Sequence, residues 1–179
     1  NRLGRQGRLA PERRTQFVQL RPVGQLAMPE QIRGLFEADV LDEIASAGAL
    51  DFGGGSYGSL MADTSAGSAA ITQSGALSVS GLATLKAGAG AITLTRADNN
   101  WLGLVDISGG PAQLTGAGAL TLGNLVTGSF TAASTGALNL GQGTVSGDLL
   151  ASSGGNPITQ TGALQLGGKA SFDAGGADV

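Results

Sequence analysis

The stretch ITQSGALSVSGLATLKAGAGAI spans residues 71–92, and a similar stretch, ITQTGALQLGGKASFDAGGADV, spans residues 158–179. Aligned without a gap, the two stretches are identical at nearly half of their positions. Both alternate aliphatic with polar residues and are punctuated by glycine. Period-two alternation over a short run bounded by glycine is typical of a half-buried β-strand. The repeated stretch therefore predicts short strands separated by tight corners.

A shorter phrase recurs through the same region: Gly-Ala-Leu or Gly-Ala-Ile, then a polar and an apolar residue. It begins at Gly48, Gly75, Gly90, Gly118, Gly136 and Gly162. The spacing alternates between long and short, which indicates a unit of roughly 43–44 residues, or two turns of about 22. Strand-only repeats of this length predict a coiling chain in which each strand pairs with its equivalent one turn away. The predicted fold is an all-β parallel β-helix, or β-solenoid, over residues 48–179.

The alternation also predicts which side chains point inward. These are Leu77, Val79, Leu120, Leu122, Leu164 and Leu166. A sandwich of hairpins would place turn signals roughly every 8–12 residues and would not preserve the long repeat that relates Ile71 to Ile158. Disorder would lack the regular aliphatic alternation.

The composition excludes several kinds of chemistry. The chain contains no cysteine and no histidine, so disulfides, thiolate nucleophiles and the commonest general base are absent. No apolar run approaches the roughly 18 residues of a membrane span. The acids of the repeat region are scattered along the sequence. Asp98 and Asp106 could approach each other across a corner for acid–base chemistry, but no spacing pairs them with Lys86 or Arg96. We expect no enzyme activity, no cofactor and no metal site, with a β-helical carbohydrate-active protein as the alternative to exclude.

The N-terminal region differs in charge from the repeats. Residues 1–33 carry seven arginines and two glutamates, whereas the rest of the chain is net negative. Residues 1–28 are interpreted as a basic arm or linker, either solvated or in contact with an anionic partner or a neighbouring segment. Because no aromatic residues interleave with the arginines, no nucleic-acid partner is predicted. The segment TQFVQL at residues 15–20 predicts a short strand.

Residues 29–47 predict an amphipathic helix with Pro29 in its first turn. Its apolar stripe is formed by Ile32, Leu35, Phe36, Val40 and Ile44. This stripe directly precedes the first phrase, so we expect it to cap the first coil, with the opposite end of the rod open to self-association. The alternative is that the arm and helix dock on the open end of another copy and build a head-to-tail fibre.

One local feature suggests ligand binding. The sequence ADNNW contains the candidate ligand contacts Asp98, Asn99, Asn100 and Trp101. An exposed indole flanked by polar groups can stack on a sugar ring. The alternative is that Trp101 plugs a corner while the asparagines adopt turn conformations.

Residues 48–179 resemble the β-strand repeats of the filamentous haemagglutinin-like exoproteins, which Gram-negative bacteria export by two-partner secretion. Residues 92–105 match the repeat unit of that family position by position. That unit reads I-x-L, then A-D-N-D-F-x-G-x-V, and is followed by G-A-L-x-L-G. Ile92 and Leu94 match its start, and Asn100 and Trp101 stand for its Asp and Phe. The other matching positions are Ala97, Asp98, Asn99, Gly103 and Val105.

The resemblance implies a right-handed β-helical stalk that is secreted or exposed on the cell surface of a Gram-negative bacterium. It implies roles in adhesion, aggregation, biofilm formation or display of a distal region. The implied partners are an outer-membrane transporter during secretion and a glycan or protein on a host or neighbouring cell. It brings no catalytic residues.

Overall fold

The computed structural model describes residues 18–20 and 41–179. They form an all-β parallel solenoid of about 7 turns with about 20 residues per turn. The predicted fold class is therefore confirmed, with turns slightly shorter than expected. Every strand pairing among the described residues is parallel, because each strand bonds to the strand one coil before or after it.

The strands, β1–β20 in chain order, lie in three sheets. Sheet A contains β1 (Val18–Leu20), β2 (Leu41–Ser46), β5 (Ser59–Asp63), β8 (Ala83–Lys86), β11 (Leu104–Ser108), β13 (Leu120–Thr127), β15 (Leu138–Asn139), β16 (Gln142–Val145), β18 (Ile158–Thr159) and β19 (Leu164–Leu166). Sheet B contains β3 (Leu50–Phe52), β6 (Ile71–Gln73), β9 (Ile92–Leu94), β12 (Ala112–Gly116), β14 (Phe130–Ser134), β17 (Leu149–Ser152) and β20 (Ala170–Asp173). Sheet C contains β4 (Gly55–Tyr57), β7 (Leu77–Val79) and β10 (Asn100–Trp101). A 3-10 turn, Ser65–Gly67, forms one corner.

We number the coils 1 to 7 by their strand in sheet B, from β3 to β20. The interior is a stack of inward-facing aliphatic columns. One column runs Ile71, Ile92, Ala112 and Phe130 in register, and all four are buried. The small Ala112 lies beside the large Phe130, which keeps the volume of the narrow interior nearly constant. Of the predicted inward residues, Leu77, Val79, Leu120 and Leu122 are fully buried.

The last coil differs from the prediction. Leu164 is only partly buried and Leu166 is 38% exposed, although Leu166 continues the inward column of Val145. Phe172 is likewise exposed although it is in register with the buried Ala151. Within the described residues no coil stacks on this side, so these positions lack the cover that buries their equivalents.

The helix predicted over residues 29–47 is wrong in its last part. Residues 41–46 form β2, which pairs with β1 on one side and β5 on the other. Hydrogen bonds to two neighbouring strands satisfy the β2 backbone and override the helical spacing of its apolar residues. Ile44 packs partly buried against the core as a strand residue. The remainder of the stripe, Ile32, Leu35, Phe36 and Val40, and most of the basic arm lie outside the described residues. The short strand predicted at residues 15–20 is confirmed in its second half as β1, Val18–Leu20, and residues 15–17 lie outside the described residues.

The two similar stretches that begin at Ile71 and Ile158 occupy different faces. Ile71 begins β6 in sheet B and Leu77 begins β7 in sheet C, whereas Ile158 and Leu164 begin β18 and β19 in sheet A. The repeated phrase therefore specifies a short strand and the adjacent turn, and this unit can belong to sheet A, B or C.

Candidate functional site

The four candidate ligand residues are divided between the surface and the core. Asp98 and Asn100 are exposed, but Asn99 is completely buried and Trp101 is only 3% exposed. An indole ring that is covered in this way presents no face to a sugar. The structure thus supports the alternative in which Trp101 plugs a corner, and it does not bring the four residues together as one contact surface.

Asn99 connects three successive coils. Its Oδ1 accepts hydrogen bonds from Gln73 Nε2 at 2.8 Å and from the Leu77 N–H at 2.9 Å, both in coil 2. Its Nδ2 donates to Gln73 Oε1 at 2.8 Å and to the Leu94 and Thr115 carbonyls at 3.3 Å. The desolvation of a buried amide is offset only when its polar atoms are bonded. The asparagine that the sequence suggested as a ligand contact is thus an internal clamp.

Trp101 is fixed by the coil above it. The indole Nε1 donates to the Thr115 carbonyl oxygen at 2.9 Å. The same carbonyl accepts from Asn99, so two side chains of coil 3 converge on one backbone group of coil 4. The sequence indicated a corner plug but not its partner, because the partner lies in a different coil.

Asp98 forms an exposed ion pair with Arg96. Arg96 Nε and Nη2 each donate to one carboxylate oxygen at 2.9 Å. Hydrogen bonding to Arg96 holds the pKa of Asp98 below its ordinary value, and the same interaction raises the pKa of Arg96. Both side chains are about half exposed, where such a pair contributes little to stability.

Asp106, the other carboxylate considered for acid–base chemistry, has a structural partner. Its Oδ1 accepts a hydrogen bond of 2.7 Å from the Asn124 N–H. This bond lies where the β11–β13 register shifts between Val105 and Ile107. The carboxylate therefore satisfies a backbone donor at a β-bulge.

A shallow groove of about 190 Å³ crosses the outer face of sheet A. Lys86, Asp106, Asn124 and Val126 are among the residues that line it. Small-molecule sites usually enclose about 300–1,000 Å³, so this groove is smaller than a built ligand pocket.

In residues 18–20 and 41–179, no group of three or more acids is placed to hold a metal ion. The same residues contain no helix long and apolar enough to cross a membrane.

One surface feature was missed at the sequence level. Leu82, Leu102 and Leu104 are 45%, 67% and 50% exposed at the corner between sheets C and A. Leu82 directly precedes Ala83, and Leu104 directly precedes Val105, which is the strand partner of Ala83. The spacing of these leucines could have been noticed in the sequence, because it equals the length of one coil. Only the register of the coils shows that the leucines are neighbours on the outside of the rod.

Comparison with known proteins agrees with a repeat architecture. Residues 38–108 and 127–179 match a family described as repeats of unknown function (DUF5649). No curated protein and no solved structure is significantly similar to the chain. The matched residues make up more than half of the chain and include strands of all three sheets. The chain belongs to the DUF5649 family of repeats of unknown function.

Proposed function

We propose that the chain is a non-catalytic structural and adhesive stalk of a secreted or surface-exposed exoprotein of the filamentous haemagglutinin-like class. In this role it separates a distal region from the cell and presents a lateral surface for adhesion or aggregation. The observation that carries the proposal is the continuous stack of coils around an aliphatic interior. At about 4.8 Å per coil, seven coils give a rod of roughly 29 Å between the first and the last. The architecture supplies length and a repetitive surface.

The chemistry of the surface is consistent with this role. Asp98 and Asp106, the carboxylates weighed for catalysis, bond to Arg96 and to the Asn124 N–H respectively. Among the described residues, every buried side-chain nitrogen and oxygen has a hydrogen-bond partner. The polar groups are used to hold the coils, which favours a structural protein over the alternative of a β-helical carbohydrate-active one.

A binding and degradation assay on the purified chain tests the proposal. We expect saturable binding to a cell-surface glycan or a matrix protein on an array, and no cleavage of uronic-acid or neutral polysaccharides. Depolymerisation that is lost in Asp98→Asn or Asp106→Asn would overturn it. A variant with Leu102 and Leu104 both changed to Ser tests whether the exposed leucine corner contributes to adhesion.

The fibre remains the alternative assembly. Two features favour it. Leu166 and Phe172 are exposed, and within residues 18–20 and 41–179 the outer edges of β19 and β20 pair with no strand. Concentration-dependent growth of elongated particles in light scattering and electron microscopy would support a fibre. Particles of constant size would favour the stalk.

A further inference from the structure

The solenoid changes width between coils 3 and 4. On sheet A, Ala83 stacks on Val105, and Val105 stacks on Leu122. The coil from Ala83 to Val105 contains more residues than the coil from Val105 to Leu122. Sheet C ends at this step, because its order is β10-β7-β4 and no other strand of the described residues pairs with β10. The coil 3–coil 4 interface therefore lacks one of the three strand pairings that join coils 1, 2 and 3.

The same interface carries a second irregularity. The pairing of β11 with β13 shifts register, and the Asp106 carboxylate bonds to the Asn124 N–H at the shift. Side chains replace the missing strand of sheet C. The Trp101 and Asn99 side chains donate to the Thr115 carbonyl, and the Ala117 N–H donates to the Asn99 carbonyl at 2.7 Å.

The interface on the other side of coil 4 is regular. β12 pairs with β14 along its whole length, from Ala112–Phe130 to Gly116–Ser134. β13 pairs with both β15 and β16. Coil 4 is therefore joined more completely to coil 5 than to coil 3.

The family match gives an independent sign of a break. Residues 109–126 separate the two matched stretches. This segment is as long as one coil, measured from Ala112 to its stacked partner Phe130. One narrow coil, which contains β12 and most of β13, thus interrupts two blocks of family repeats.

We propose that the coil 3–coil 4 interface is a joint at which the rod separates into two cooperative units, residues 41–108 and 109–179. Stability in a repeat array is approximately a sum of coil terms and nearest-neighbour interface terms. Among the interfaces that join coils 1 to 6, this one has the fewest strand pairings, two instead of three, and we place the boundary between the cooperative units there. Under denaturant or tension the joint opens before either block loses its own coils. The inference concerns the folding of the rod and does not depend on its proposed role as a stalk.

Trp101 makes the proposal directly testable, because it is the single tryptophan of the chain and lies at the joint. Urea unfolding of the full chain is followed by tryptophan fluorescence and by far-ultraviolet circular dichroism. We expect the fluorescence transition at a lower urea concentration than the main loss of β-structure. Coincident transitions would overturn the joint.

Hydrogen exchange read by mass spectrometry locates the boundary. We expect two levels of protection that change between peptides on either side of residue 109. A single level throughout residues 41–173 would contradict the proposal. So would a gradual decline toward β20 without a change at residue 109, because that pattern indicates fraying of the last coil.

A matched pair of variants tests the cause. Trp101→Phe keeps an aromatic ring but removes the Nε1 donor, and we expect roughly fivefold to tenfold faster exchange of the joint amides. Phe130→Leu, a fully buried position in coil 5, should instead speed exchange within residues 109–179. If Trp101→Phe accelerates exchange equally in all coils, the joint is not a boundary.

Discussion

The side chains of Gln73 and Asn99 lie on neighbouring coils and exchange two hydrogen bonds, each 2.8 Å long. Asn99 is fully buried, and its remaining bonds reach the Leu77 N–H and the Leu94 and Thr115 carbonyls. One amide therefore sets the relative position of coils 2, 3 and 4. The aliphatic columns cannot do this alone, because apolar contacts have little directionality.

Replacement of Asn99 by alanine should be strongly destabilising. The Gln73 amide and the Leu77 N–H would lose a buried partner, at about 1–3 kcal/mol for each unsatisfied group. We expect a loss of about 3–5 kcal/mol in the free energy of unfolding, measured by urea titration. Asn100→Ala is the control, since this neighbour is exposed and should change stability by less than about 0.5 kcal/mol. Equal effects of the two substitutions would contradict the clamp.

A leucine pair tests the inward columns. Leu122 is 1% exposed and Leu102 is 67% exposed. Leu122→Ala should cost about 2–5 kcal/mol of unfolding free energy, because it removes buried methyl groups and leaves a cavity. Leu102→Ala should change it by less than about 0.5 kcal/mol. The loss from Leu122→Ala should appear in the exchange of residues 109–179 more than in that of residues 41–108, and an even loss over all coils would argue against nearest-neighbour stacking.

A glycine pair tests the close approach of corners. A Cβ atom on Gly103 would collide with the Gly81 carbonyl oxygen of the coil below, whereas a Cβ on Gly118 would meet nothing within 4 Å. Gly103→Ala should therefore destabilise by about 1–3 kcal/mol as the backbone is pushed apart. Gly118→Ala should be neutral or stabilising by up to about 1 kcal/mol, because it restricts the unfolded chain. Thermal unfolding of both variants measures the difference, and a tolerated Gly103→Ala would show that the corner can yield.

Asp63 should make stability depend on pH through Ser65. The Asp63 carboxylate accepts hydrogen bonds from the Ser65 hydroxyl and N–H, and the hydroxyl is the main reason that the pKa of Asp63 lies below its ordinary value of 3.8. A lowered pKa in the folded state means that the ionised group contributes stability above pH 3.8, which is lost as the pH falls through the folded pKa.

Ser65→Ala should raise the pKa of Asp63 toward 3.8, measured by nuclear magnetic resonance titration of the carboxyl carbon. The stability difference between this variant and the parent should be present at neutral pH and should shrink below pH 3.8. A difference that grows on acidification would show that the hydroxyl favours the protonated carboxyl group.

The N-terminal cap remains a prediction that deletion can test. β1 pairs with the outer side of β2, so it covers one backbone edge of sheet A. Removal of residues 1–40 would leave the β2 edge unpaired, and an unpaired edge is a template for association. We expect larger particles in size-exclusion chromatography with light scattering. Stable monomers after the deletion would instead support the alternative in which the arm docks on another copy.

The sequence by itself determined the class of the fold and much of its interior. Period-two alternation places Leu77 and Val79 on one side of a strand whatever the strand pairs with, because side-chain direction is a local property of extended backbone. Glycine corners at repeated spacing then made a coiling chain the simplest solution. The prediction failed at residues 41–46, where the helical spacing of apolar residues competed with strand pairing that sequence order does not reveal.

Only the tertiary structure decided which face each strand occupies and what its side chains meet. Ile71 and Ile158 begin closely similar phrases, yet one lies in sheet B and the other in sheet A. Trp101 is in the core because it continues the buried position of Val79 in sheet C, and the Thr115 carbonyl of the next coil accepts its indole N–H. Leu102 is exposed one residue later. The physical reason is that stacking depends on the length of each coil, and that length sets which distant residues exchange hydrogen bonds.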